Sequence, residues 1–98
     1  MADIATTTRI KTKLERPKMW TCLFLNDDYT SMEFVTEILI ELFHLSRTDA
    51  KIITMHIHHE GKSAVGSYPK DIAFLKSDQT ISAAIAYQYP LQVLPIEI

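Results

Sequence analysis

The feature that most constrains the fold is a polar turn, Asn26 to Thr30 (NDDYT), placed between two apolar segments. The run before it, 19–25 (MWTCLFL), is short and rich in β-branched, aromatic and aliphatic residues, which is typical of a strand. Asn and Asp side chains compete for nearby backbone groups and end regular structure. The stretch therefore predicts a strand that enters a turn, with a new element beginning just after it.

The residues after the turn carry the signals of a helix N-terminus. Thr30 and Glu33 have the spacing of a capping box, and Tyr29 and Phe34 have that of a hydrophobic staple. A first helix is predicted over about 31–43, with apolar residues along one face. Free N–H groups at a helix start can fix acidic side chains in place. The turn is thus expected to present acceptors to a positively charged or N–H-rich partner.

The rest of the chain predicts four more elements. Ser46 and Asp49 form a second cap and Gly61 suits a left-handed helix end, so a second helix is expected over about 47–60. A short strand follows over 62–68, and Pro69 stands at the start of a third helix. The apolar period of that helix weakens at 77–80, which predicts a break or kink. Residues 91–96 alternate weakly around a proline, as an edge strand does.

This order, β-α-α-β-α-β, predicts an α+β fold. We expect a two-layer sandwich in which three helices cover one face of a small antiparallel sheet of about three strands. Ninety-eight residues with 47% hydrophobic content are enough for one core. Residues 1–18 are polar and rich in threonine, and they predict a flexible arm before a core domain over 19–98.

Charge and cysteine content exclude several classes of protein. Residues 19–98 hold five basic and ten acidic side chains, which argues against nucleic-acid binding. Cys22 is the lone cysteine and lies in an apolar strand, so a buried, inert thiol is expected. No apolar run approaches the roughly 20 residues that span a bilayer, and the first residues lack a signal-peptide core. We expect a cytoplasmic monomer that does not associate with membranes.

Two patterns in the sequence partly resemble metal sites. Counting from Asn26 gives part of an EF-hand loop, but Ser31 occupies the position where the sharp turn needs glycine. His56 and Glu60 share a helical face at i and i+4, yet no cysteine or third histidine is placed to complete a zinc site. Solvated histidines in a last helical turn are the simpler interpretation. The sequence predicts no metal and no cofactor.

Catalytic motifs are also missing. The chain has no nucleophile motif and no glycine-rich phosphate loop. Asp27 or Asp28 with His58 is the one acid/base pair available, in a domain too small for a deep cleft. We therefore predict a binding protein and not an enzyme.

The segments N-D-D-Y-T-S-M-E-F (26–34), H-H-E-G-K (58–62) and G-S-Y-P-K-D-I-A (66–73) resemble the ClpS adaptor family. The resemblance extends over 19–98. It implies an adaptor that binds proteins whose first residue is Leu, Phe, Tyr or Trp. Such an adaptor delivers them to a Clp AAA+ unfoldase, ClpA-like or ClpC-like, coupled to the ClpP protease. The family's fold is the small α+β domain predicted above.

The resemblance also implies residue roles. Asn26, Asp27 and His58 match the family's ligands for the α-amino group of the substrate. A second set is expected to line or gate the hydrophobic pocket: Asp28, Thr30, Met32, Val35, Ile38, Thr54, Ile57 and Leu91. Asp71 and Lys76 fall where family members touch the unfoldase N-terminal domain, although solvated helix surface is the plainer interpretation. The N-terminal arm resembles the segment that engages the unfoldase during handover.

Three departures from the family pattern affect these expectations. Ser31 replaces a proline, which a capping residue accommodates. Thr54 stands where a methionine is expected, and this predicts a roomier pocket rim that tolerates β-branched first residues. Residues 77–89 lack the usual helical pattern, which weakens the Lys76 assignment. A second functional hypothesis follows: a ClpS-like module that binds the unfoldase, as a modulator or competitor, without delivering such substrates.

Overall fold

A computed structural model describes residues 17–98 of the chain. Up to residue 16, the arm predicted over 1–18 lies outside the described residues. The elements, in chain order, are β1 (Trp20–Leu25), α1 (Met32–Glu41), α2 (Arg47–Glu60), β2 (Lys62–Tyr68), α3 (Lys70–Ala86) and β3 (Gln92–Glu97). The predicted α+β class and the order β-α-α-β-α-β are confirmed.

The three strands form one antiparallel sheet in the order β2-β1-β3. The central position of β1 follows from its apolar sequence, because both its edges are paired and its Cys22 and Phe24 side chains are fully buried. Pro95 lies in β3, which is an edge strand as predicted. The end of β1 at Leu25 pairs with Lys62 on one side and with Gln92 on the other, so the turn at 26–30 leaves the sheet from its centre.

The core lies between the sheet and the helices. Its largest fully buried apolar side chains come from several elements: Phe24, Leu39, Val65 and Val93. Cys22 is also buried, as predicted, and burial raises the pKa of its thiol, although a hydrogen bond from Ser77 and the charge of Lys76 act in the opposite direction.

The cap of α1 differs from the sequence prediction by one residue. Ser31, not Thr30, is the N-cap, and its Oγ accepts a hydrogen bond from the backbone N–H of Phe34 at 3.1 Å. The Thr30 hydroxyl instead donates to Asp27 Oδ2 at 2.8 Å, within the turn that precedes the helix. Thr30 and Ser31 both have side chains that can cap a helix, and Ser31 is the one that does so.

Helix α3 runs without interruption through 77–80, so the predicted break was wrong. The weak apolar period arises because small polar residues, Ser77 and Thr80, face the core and are buried. Ser77 Oγ contacts Cys22 Sγ at 3.4 Å, and Thr80 Oγ1 donates to the Lys76 carbonyl at 2.8 Å. Satisfied hydroxyls can occupy a core face without breaking a helix.

Candidate functional site

Asp27 organises the turn between β1 and α1. Its Oδ1 accepts hydrogen bonds from the backbone N–H groups of Tyr29 at 2.8 Å and Thr30 at 2.7 Å, and its Oδ2 accepts the Thr30 hydroxyl. Burial alone would raise the pKa of Asp27, but these hydrogen bonds from Thr30 and Tyr29 outweigh it and lower that pKa below its usual value of 3.8. Asp27 is therefore a fixed carboxylate. A carboxylate has about four acceptor positions, so Oδ2 can accept at least one more hydrogen bond.

The C-terminal end of α2 is held against this turn. Ser46 caps the start of α2 and Gly61 ends it with φ of 89°, both as predicted. The backbone N–H of Asn26 donates to the carbonyl of Gly61 at 2.9 Å. His58 lies within the last turn of α2, so this hydrogen bond brings the histidine to the turn that carries Asn26 and Asp27. The left-handed conformation of Gly61 is what allows the chain to present that carbonyl.

A small cavity lies between the turn, α1, α2 and the start of β3, with a volume of about 10 Å³. Nine of the residues predicted from the resemblance line it: Asn26, Asp27, Thr30, Met32, Val35, Thr54, Ile57, His58 and Leu91. Asn26 and His58 are exposed, whereas Val35, Ile57 and Leu91 are buried. The cavity thus joins a polar, solvated end to an apolar interior.

Two predicted pocket residues lie elsewhere, and one lining residue was missed. Asp28 is exposed and does not line the cavity, whereas Asp27 accepts the backbone hydrogen bonds of the turn. Ile38 is buried beside Tyr87 and Tyr89, in a separate groove of about 530 Å³ between α1 and α3. Leu25 lines the cavity and was not predicted. Its position as the last strand residue before the turn was the signal available.

Met32 and Thr54 form the boundary between this cavity and a larger groove. Both line the cavity, and both line the groove of about 330 Å³ that runs between α1 and α2. Behind them, the hydroxyls of Thr36 and Thr54 lie 3.0 Å apart, and both residues are buried. The boundary between the cavity and the groove therefore holds a buried pair of hydroxyls.

Asp71 and Lys76, predicted to face a partner, lie in different environments on α3. Asp71 is exposed in the first helical turn. Lys76 is partly buried, and its Nζ donates to the Leu42 carbonyl at 2.6 Å. The same ammonium lies 5.5 Å from the ring centroid of Phe43 and 5.3 Å from that of Tyr68. Lys76 is engaged inside the domain, whereas Asp71 is available to solvent.

Residues 17–98 show no grouping of three histidine, cysteine or acidic side chains arranged to hold a metal ion. In the same range, no helix combines the length and apolar content needed to cross a membrane.

Comparison with known proteins places this geometry in context. The family model described as "ATP-dependent Clp protease adaptor protein ClpS" matches residues 15–94. A protein of Helicobacter hepaticus named ATP-dependent Clp protease adapter protein ClpS is 44% identical over 97 residues, which is 99% of this chain and 98% of the relative. A protein of the same name from Neisseria gonorrhoeae is 46% identical over 82 residues, covering 84% of this chain and 79% of the relative.

A solved structure has the same fold. It is that of Agrobacterium tumefaciens ClpS2 bound to L-phenylalaninamide, which is 31% identical to this chain with a TM-score of 0.82. The match covers 85% of this chain and all of that one.

Proposed function

Since the chain belongs to the ClpS family of ATP-dependent Clp protease adaptors, we propose that it recognises proteins by a free α-amino group and a bulky hydrophobic first residue. It then delivers them to a Clp AAA+ unfoldase for degradation by ClpP. The observation that carries the proposal is the convergence of Asn26, Asp27 and His58 on one cavity with a buried apolar interior. The ligand of the A. tumefaciens relative, phenylalaninamide, has these two features: a free amine and an aromatic side chain.

The polar end of the cavity suits an ammonium group. An ammonium has three donors and no acceptor. Asp27 Oδ2 supplies a charged acceptor, the Asn26 side-chain oxygen a second, and a neutral His58 nitrogen a third. An internal peptide nitrogen has one donor and no charge, so it cannot pair with all three acceptors and forfeits the charge-assisted hydrogen bond to Asp27, worth about 1.5–3 kcal/mol. This penalty is the basis on which the site distinguishes a free N-terminus from an internal peptide group.

The apolar end has to open to admit a side chain. A volume of about 10 Å³ is close to the minimum for a single water molecule, far below a leucine or phenylalanine side chain. Met32 is half-buried and unbranched, and it lines both the cavity and the adjacent groove. Rotation of the flexible Met32 side chain toward the groove is the lowest-cost way to enlarge the cavity. Val35, Ile57 and Leu91 then contact the incoming side chain.

Contact with the unfoldase is assigned to the exposed side of α3. Asp71 is exposed there and suits a charged contact with the N-terminal domain of a ClpA-like or ClpC-like partner. Lys76 contributes through the shape of this surface, because its ammonium is occupied by Leu42, Phe43 and Tyr68. Residues 1–18 are proposed to engage the unfoldase during handover.

The test is fluorescence anisotropy with labelled peptides that differ at the first residue, Leu, Phe, Tyr, Trp or Ala, with an N-acetylated Leu control. We expect the four bulky residues to bind, and acetylation or alanine to abolish binding. A matched pair of variants, Asp27→Asn and Asp28→Asn, should separate the cavity carboxylate from its exposed neighbour. Binding of the unfoldase but of none of the peptides would refute the proposal and favour the modulator hypothesis.

A further inference from the structure

The buried hydroxyl pair at the cavity wall has a fixed direction. Thr36 Oγ1 lies 2.8 Å from the Met32 carbonyl oxygen, which can only accept. A hydroxyl carries one proton, so the Thr36 hydroxyl donates its single hydrogen bond to the Met32 carbonyl. The proton in the 3.0 Å contact between Thr36 and Thr54 must then come from Thr54. The hydroxyls form a short relay, from Thr54 to Thr36 to the backbone of α1.

This direction leaves Thr54 with spare acceptor capacity at the boundary between the cavity and the groove. Its proton is committed to Thr36, while its oxygen keeps lone pairs that no hydrogen bond among residues 17–98 uses. Thr54 lines the cavity and is 3% exposed, so these lone pairs are shielded from bulk water. A donor on the ligand that forms a hydrogen bond with a buried acceptor of this kind increases the affinity.

The spacing along α2 places the Thr54 acceptor at a distance from His58 that suits the length of an N-terminal side chain. Thr54 and His58 are four residues apart, so they lie on one face of the helix about 6 Å apart along its axis. A ligand whose ammonium is held at His58 therefore extends its side chain along that face toward Thr54. The intervening walls, Ile57, Val35 and Leu91, are apolar and buried. The length and polarity match a side chain that is apolar along its body and has a donor at its far end.

From this arrangement we infer that Thr54 is a specificity residue that favours tyrosine over phenylalanine as the first residue of the substrate. The inference rests on the proposed function, since it assumes that the cavity takes an N-terminal side chain. The tyrosine hydroxyl donates to Thr54 Oγ1, whose own proton is held by Thr36. Phenylalanine and leucine leave that acceptor unpaired in a buried site.

The experiment compares peptides that begin with Tyr, Phe or 4-fluorophenylalanine, each with an N-acetylated control. Wild type should bind the Tyr peptide about five-fold more tightly than the Phe peptide, the size of one net hydrogen bond between neutral groups. Fluorine resembles the hydroxyl in size but cannot donate, so the 4-fluoro peptide should bind like Phe. In Thr54→Val, which keeps the shape and removes the hydroxyl, the Tyr/Phe ratio should fall to one or below.

Two further variants keep the outcome decisive. Thr54→Ser retains the hydroxyl and should retain the Tyr/Phe preference. Thr54→Met removes the hydroxyl with a different side chain, in case the valine variant does not fold. An unchanged Tyr/Phe ratio in a folded Thr54→Val or Thr54→Met variant overturns the inference while leaving the proposed function intact. Acetyl-insensitive binding, or no binding of the Phe and Tyr peptides to wild type, overturns both.

Discussion

The two ends of strand β1 use their polar side chains differently. At the Leu25 end, Asn26 and His58 are exposed beside the cavity, and Asp27 and Thr54 keep unused acceptor positions. At the Trp20 end, the lysines are engaged with the domain itself. Lys70 Nζ lies 5.3 Å from the Trp20 ring centroid, and Lys76 donates to the Leu42 carbonyl.

This difference separates residues that can bind a partner from residues that stabilise the fold. A side chain whose hydrogen bonds and charge are already satisfied adds little binding free energy when a ligand arrives. A fixed group with an unused acceptor position adds the free energy of a new hydrogen bond without the cost of being ordered. Substitutions near the cavity should therefore change affinity, and substitutions at the other end should change stability.

The largest effect is expected for Asp27→Asn. Replacing a carboxylate by an amide removes the charged acceptor for the ligand ammonium, worth about 1.5–3 kcal/mol, or roughly 10- to 150-fold in Kd. The Tyr29 and Thr30 hydrogen bonds can persist on the amide oxygen, so the turn keeps much of its support. Calorimetric titration with a Leu-initiated peptide measures the loss, and Asp28→Asn is the matched control. Equal losses in both variants would mean that Asp27 acts only through net charge.

The next largest effect is a loss of stability, expected for a substitution at the Trp20 end of β1. Lys76→Met keeps the aliphatic stem but removes the ammonium from the Leu42 carbonyl and from the Phe43 and Tyr68 rings. We expect the free energy of unfolding in urea to fall by about 2 kcal/mol, given the usual range for charged hydrogen bonds and cation–π contacts. Peptide affinity should stay within two-fold.

Lys70→Met is the control for Lys76, because Lys70 makes only exposed cation–π contacts and should cost less than about 1 kcal/mol. Asp71→Asn should leave stability unchanged. A Lys76→Met protein as stable as wild type that fails to bind the unfoldase would reverse the assignment and make Lys76 a partner contact.

These cases show which parts of the molecule local sequence could predict. The caps of α2 were predicted because Ser46 and Gly61 act on backbone groups within a few residues. The cap of α1 lies one residue later than predicted, at Ser31, and the Thr30 hydroxyl donates to Asp27, a contact that the pattern T-S does not reveal. The core-facing Ser77 of α3 contacts Cys22, 55 residues away in the chain. Contacts at that separation have no local signal.

The candidate site divides in the same way. Motif resemblance indicated Asn26, Asp27 and His58, and the structure brings all three to one cavity through the Asn26–Gly61 hydrogen bond. It did not indicate that Ile38 lines the groove shared with Tyr87 instead of the cavity, because Ile38 stands in a run of apolar residues, 38–40, that does not define one face. Nor could it indicate that Lys76 meets Leu42, which is 34 residues earlier. Side-chain roles that depend on two distant elements required the structure.

A third prediction concerns pH. Hydrogen bonds lower the pKa of Asp27 below 3.8, so this carboxylate stays ionised between pH 5 and 8, and the stability it contributes is lost only as pH falls below that ordinary value. Peptide affinity should weaken as pH falls through the lowered pKa of Asp27, because protonation removes the charged acceptor for the ligand ammonium. Titrations of a Leu-initiated peptide between pH 5 and pH 3 measure this loss, and Asp27→Asn should remove most of it. A loss of the same size in Asp27→Asn would exclude Asp27 as the group responsible.

The smallest effect concerns the size of Thr54. The wall between the cavity and the adjacent groove consists of Met32 and Thr54, and the expected methionine would thicken it. First residues branched at Cβ are wide where the pocket begins, so wild type should discriminate only weakly between Leu and Ile or Val. Thr54→Met should increase that discrimination roughly five-fold. This is just below the roughly 10- to 200-fold range for one methylene in an apolar pocket, because Met32 can adapt.

Thr54→Val is the matched control, since valine keeps the size of threonine and should leave the Leu/Ile ratio unchanged while it abolishes the Tyr/Phe preference. If both variants alter both ratios together, size and polarity at this position are not separable, and the wall has repacked. Discrimination against Ile and Val that is the same in wild type and Thr54→Met would place the limit on β-branched residues elsewhere, with Met32 the next residue to vary.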